Sequence, residues 1–183
     1  MRSVCLAILV AFFAAAAPAY AQLVNENLLV TVPKGFKVGF QDQKNNMRIT
    51  EMVPADESVE NWTEMVTVQI FLGLKTTPQA FQDRIAKGWV AACKEGGAHA
   101  VSGDAENGYP ALVWVLSCPR NPATGKPEVT WFKAVAGNDS FYVVQKAFRS
   151  MPAQEQMTAA LGYLGTVKVC DSRAPERACP KTR

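Results

Sequence analysis

The stretch from Tyr109 to Phe148 limits what this chain can fold into. It holds three runs rich in β-branched and aromatic residues: Tyr109–Cys118, Val129–Val135 and Phe141–Phe148. A Pro/Gly-rich break separates the first two, and Gly137-Asn138-Asp139 separates the last two. Three such runs in succession predict an antiparallel meander, with the second break short enough for a tight hairpin. The first run is almost continuously apolar and predicts a central strand buried on both faces. Thr130, Lys133, Gln145 and Lys146 interrupt the other two, which therefore read as less buried strands.

Upstream, Leu28–Val32, Phe36–Phe40, Met47–Val53 and Trp62–Phe71 read as strands. Pro33-Lys34-Gly35 and Asp42–Asn46 are the turns between them, and Pro54 stops the third. Thr76-Thr77-Pro78 opens a helix, a hydroxyl cap followed by a proline whose missing N–H does no harm there. Phe81, Ile85, Trp89 and Ala92 form its apolar stripe, and Gly96-Gly97 ends it. Ala98–Gly103 reads as a short strand and Asp104–Gly108 as a polar turn. Ser150-Met151-Pro152 starts a second helix with the stripe Met157, Leu161 and Leu164, and Val167 and Val169 form a last extended piece. The expected fold class is α+β: a mainly antiparallel sheet of about six to seven strands covered by two helices.

That order of elements, with the segment Val32-Pro33-Lys34-Gly35-Phe36 in its first hairpin, resembles the PsbP-like fold over most of residues 28–168. The group includes photosystem extrinsic proteins and small exported bacterial proteins. The resemblance implies an α/β/α sandwich and a binding or assembly accessory, and it carries over no catalytic residue.

The first residues set the compartment. Arg2, the apolar core Val4–Ala17 and Ala19-Tyr20-Ala21 make a secretory signal peptide over residues 1–21, with cleavage after Ala21. The expected localisation is periplasmic or secreted, with no transmembrane anchor, because that core is too short to span a bilayer. Residues 22–169 then form a single α+β domain, and residues 170–183 a charged, proline-containing tail. The formal net charge of +3 gives no reason to expect a nucleic-acid partner. Four cysteines follow the signal segment: Cys93, Cys118, Cys170 and Cys179. Their even number in an exported chain predicts disulfides, and three connectivities are open. Proximity favours Cys93–Cys118 and Cys170–Cys179, the second closing the tail.

The chain holds no complete catalytic constellation. His99 is the only histidine, and it stands between Ala98 and Ala100 beside two glycines. There is no G-x-S-x-G elbow, no Gly-rich phosphate loop and no metal-ligand spacing. No cofactor and no catalytic or metal residue is therefore assigned. The functional expectation is an exported, non-catalytic binding or accessory protein of the cell envelope, its partner a protein or small ligand. One alternative is a small secreted hydrolase using Glu51 and Glu64 as a carboxylate pair across a sheet end; the competing role for the two is solvated or salt-bridged, with Lys133 or Lys146 as candidate partners. Another is an exported enzyme inhibitor presenting a disulfide-fixed loop. The binding candidates are Asp56, Glu57, Glu60 and Trp62: an exposed tryptophan behind an acidic loop suits recognition, and a tryptophan capping the sheet end is the competing role.

Overall fold

Seven strands hydrogen-bond in the order β2-β3-β4-β8-β7-β6-β5, with every neighbouring pair antiparallel. The computed structural model describes residues 23–180, so the expected signal peptide lies outside the described residues. The strands are β2 (Phe36–Lys44), β3 (Met47–Pro54), β4 (Glu64–Leu72), β5 (Gly97–Glu106), β6 (Tyr109–Cys118), β7 (Glu128–Ala136) and β8 (Ser140–Phe148). A short β1 (Glu26–Leu29) and β9 (Lys168–Asp171) pair only with each other, antiparallel. Helix α1 (Pro78–Ala92) covers one face of the main sheet and α2 (Gln154–Thr166) the other, giving an α/β/α arrangement.

Alternation along the strands sorts the core into two layers. Leu112, Trp114, Phe132, Ala134, Phe141 and Val143 pack beneath α1 with Phe81. Met52, Val66, Val68, Trp131, Val144 and Phe148 pack beneath α2 with Leu164. Thr77 caps α1 through its hydroxyl, which accepts from Ala80 N at 3.1 Å. One disulfide joins Cys93, the C-cap of α1, to Cys118 at the end of β6. The other joins Cys170 to Cys179.

The central strand is β8, not the Tyr109–Cys118 run. That run is β6, next to the edge, and only alternate residues of it are fully buried. The strands expected to be less buried, β7 and β8, are buried on both faces almost throughout. Their lysines are the reason for the misreading, because each is neutralised inside the protein. Lys133 Nζ lies 2.7 Å from Glu106 Oε2, and Lys146 Nζ lies 2.7 Å from Glu64 Oε2. Charges so paired can be buried.

Three further boundaries move. β2 runs through the expected Asp42–Asn46 turn as far as Lys44, and Asn45, at φ 52°, makes the turn with Asn46. β5 runs on to Glu106, leaving Asn107-Gly108, both at positive φ, as a two-residue hairpin turn. The tail expected from residue 170 begins as a buried strand, with Cys170 and Asp171 inside β9. Among the described residues, no helix is long and apolar enough to cross a membrane.

Candidate functional site

Helix α1 packs over β5, β6 and β7 and leaves the other half of its sheet face without a helix. One cross-strand row runs over both halves: Phe40, Glu51, Thr67, Gln145, Phe132 and Trp114 stand opposite one another in register. Phe132 and Trp114 lie under α1, their rings stacked 4.8 Å apart and 2° from parallel. Toward β2 the row becomes polar, and the row beside it follows suit with Asp42, Ile49 and Gln69. Gln145 Nε2 donates to Gln69 Oε1 at 2.9 Å, tying the two rows together. The open band is thus amphiphilic, with Ile49 and Glu51 half-buried and Phe40 41% exposed at its outer edge.

Glu51 sits in the middle of this band. Burial pushes its carboxyl above the ordinary carboxylate range. The expected carboxylate pair does not form. Glu51 faces the α1 side, whereas Glu64 shares the α2 side with Val66 and Val68. There Glu64 is engaged by Lys146 at 2.7 Å and by Gln156 Nε2 at 3.2 Å. Glu51 stands opposite Thr67, and Glu64, an odd number of positions before Thr67 on β4, therefore points to the other face of the sheet.

The loop between β3 and β4 stands at one end of the band. Trp62 is its post. Its side chain is buried, 8% exposed, among Val53, Met65 and Ala147, and Val59 packs on the same group. The guanidinium of Arg149 closes over the ring 3.9 Å from its centroid. Of the two roles open to Trp62, the structure shows the one that caps the sheet end and not the exposed one: its flat apolar ring is covered by its own chain. Gly39 makes the approach possible, because a Cβ there would lie 2.9 Å from Val59 Cγ1.

The acids of the loop divide by role. Glu57 is spent on the loop itself, its carboxylate accepting from Thr63 N at 2.7 Å and from the Thr63 hydroxyl at 2.6 Å. Asp56 and Glu60 are exposed and form the rim. The Ser58 side chain holds the Glu60 carboxyl below its usual range. At the other end of the band, a hollow of about 540 Å³ lies between the β2–β3 turn and the segment after β4, lined by Met47, Phe71 and Leu74.

The band offers two carboxylates, two amides and a hydroxyl beside apolar side chains. That set can meet a surface through apolar and polar groups together. His99 is on β5 opposite Val115, at the sheet edge farthest from β2. Among the described residues, no three His, Cys, Asp or Glu side chains converge as a metal site. Sequence reading missed Phe40, Ile49, Gln69 and Gln145 as parts of one surface. Alternation placed some of them on a face, but only the pairing of β4 with β8 brings them together.

A family model matches residues 33–166 of the chain. No curated protein matches the sequence. Solved structures of similar shape include a mutant of the protein Mog1, at 13% identity and a TM-score of 0.46, covering 74% of this chain and 78% of that one. The Saccharomyces cerevisiae Ran-binding protein Mog1p is 12% identical with a TM-score of 0.46, covering 78% and 85%. LpqN, involved in cell envelope biogenesis of Mycobacterium tuberculosis, is 11% identical with a TM-score of 0.40, covering 84% and 86%.

Proposed function

We propose, for a chain that belongs to the family whose model spans residues 33–166, a non-catalytic accessory role exercised by binding a protein partner on the open band. The observation that carries this reading is the band itself: half of a sheet face, amphiphilic, left uncovered by α1 and rimmed by Asp56 and Glu60. Sheet faces of monomers are covered or polar, and an uncovered face mixing apolar and polar groups has the composition of a recognition surface. Its charge selects the partner's chemistry. Between Glu51 and Glu64 the sequence carries no Lys or Arg, so the complementary surface bears basic side chains around an apolar centre. The two disulfides support an oxidising compartment, as an exported protein requires.

The test is crosslinking in envelope extract with wild type, Phe40→Glu, Glu51→Lys and the remote control Lys126→Glu. A partner with a basic contact surface is captured by wild type and by the control. Both band variants lose it, and raising salt weakens capture. Equal capture by all four proteins ends the assignment of the band.

A further inference from the structure

The opposite side of the sheet carries a second hollow. It lies between α2 and the β5–β6 edge and measures about 400 Å³, within the range of small-molecule sites. Val101, Ala105, Val113 and Leu161 form its walls. Val101 and Leu161 are 46% and 37% exposed, two large apolar side chains open to solvent on one cleft. Gly165 also lines it, and a Cβ on that glycine would meet nothing within 4 Å.

Glu106, Lys133 and Ser102 supply the polar part of the lining. Lys133 is satisfied: its ammonium donates to Glu106 Oε2 at 2.7 Å, to Val167 O at 2.8 Å and to Leu164 O at 3.2 Å. Glu106 is not. Its side chain is only 9% exposed, yet Oε1 accepts no hydrogen bond. Lys168 Nζ lies 3.2 Å from that oxygen without the alignment of a hydrogen bond, and its side chain is 55% exposed. A buried acceptor left open calls for a donor. Two ammonium groups around one carboxylate already leave a positive excess, which disfavours a cation as that donor.

We propose that this cleft binds a small apolar molecule bearing a hydroxyl group. The hydroxyl donates to Glu106 Oε1. The apolar body lies between Val113 of the sheet and Leu161 of α2, beneath Val101. The site is separate from the open band and stands whether or not that band holds a protein.

The experiment follows backbone amide shifts by NMR in the disulfide-bonded chain while benzyl alcohol is added, with toluene, benzylamine and benzoate as matched probes. Benzyl alcohol is expected to give saturable shifts at Val101, Ala105, Val113 and Gly165. Toluene, which lacks the donor, binds about tenfold more weakly, and the two charged probes bind more weakly still. Gly165→Leu fills the hollow and favours the helix, so it abolishes the shifts while melting no lower than wild type. Leu161→Trp blocks the same space from the solvent side and gives the same loss. The proposal is overturned if benzyl alcohol produces no saturable shift at these amides. It is equally overturned if toluene or a charged probe binds as tightly, or if both blocking variants bind like wild type.

Discussion

Arg149 lies face-on to Trp62, its guanidinium 3.9 Å from the ring centroid, and the same arginine donates to Glu60 O at 3.3 Å. One side chain thus roofs the tryptophan and holds the acidic rim above it. The rim's position depends on a buried ring, so recognition and stability are coupled at this end of the band.

Trp62→Ala is therefore expected to cost about 3–5 kcal/mol of folding free energy, the usual range for emptying a large aromatic site. Arg149→Met, which keeps the stem and removes the charge, is expected to cost about 0.5–2 kcal/mol. Urea melts of the three proteins check both figures. A Trp62→Ala protein within about 0.5 kcal/mol of wild type would mean that the loop stands without its post.

The Lys133–Glu106 pair predicts a non-additive cycle. Lys133→Met leaves a buried carboxylate without its main partner and is expected to cost about 3–5 kcal/mol. Lys133→Met with Glu106→Leu removes both charges and regains part of that loss. It does not reach wild type, because Val167 O at the end of α2 loses the ammonium that satisfied it, whereas Leu164 O keeps the Val167 N–H. An unsatisfied carbonyl is worth about 1–3 kcal/mol. A double-mutant cycle by denaturant unfolding reads the coupling, and strictly additive losses would show that the pair does not act as a unit.

Much of the fold was legible because most of its pairings are local. The runs at Tyr109, Val129 and Phe141 became β6, β7 and β8, each hydrogen-bonded to the next in sequence. What was not legible depends on partners far along the chain. The sequence offers Lys146 as a candidate partner for Glu64, but it does not say which of Lys133 and Lys146 takes the role, nor that the pair, 82 positions apart, is partly buried. Glu106 looks like part of a turn until Lys133 reaches it. For Trp62 the sequence left exposure and capping of the sheet end both open, because the Arg149 that covers it lies 87 positions later by residue number. The open band has no motif at all. It exists because α1 is placed over β5–β7, a fact of packing that no window of residues encodes.

Glu51 gives the pH prediction. Folding raises its proton affinity above the ordinary value of 4.5. The unfolded chain then binds fewer protons between the two values, so stability falls as pH rises across that window. The contribution is fully present below the unfolded value and lost once pH passes the folded one. Glu51→Gln lacks the ionisation. Wild type should therefore lose stability relative to the Gln variant as pH climbs out of the carboxylate range, and the difference should flatten above it. Thermal melts of both proteins across that range check the sign, and a wild type that gains stability relative to the Gln variant with rising pH contradicts it.

Because β1 finds its only hydrogen-bonded neighbour in β9, the first strand has nothing to pair with until the last one has been made. Leu28 waits for Val169, and Glu26 for Asp171. The Glu26 side chain is the exception, since its carboxylate already has the β7–β8 turn to hold: Asn138 N at 2.6 Å, Asp139 N at 3.0 Å and the Tyr142 hydroxyl at 2.9 Å. A growing chain can thus assemble its whole meander while its beginning stays pinned by one side chain and unpaired along its backbone. Closure of the native structure waits on β9, which lays residues 168–171 beside residues 26–29.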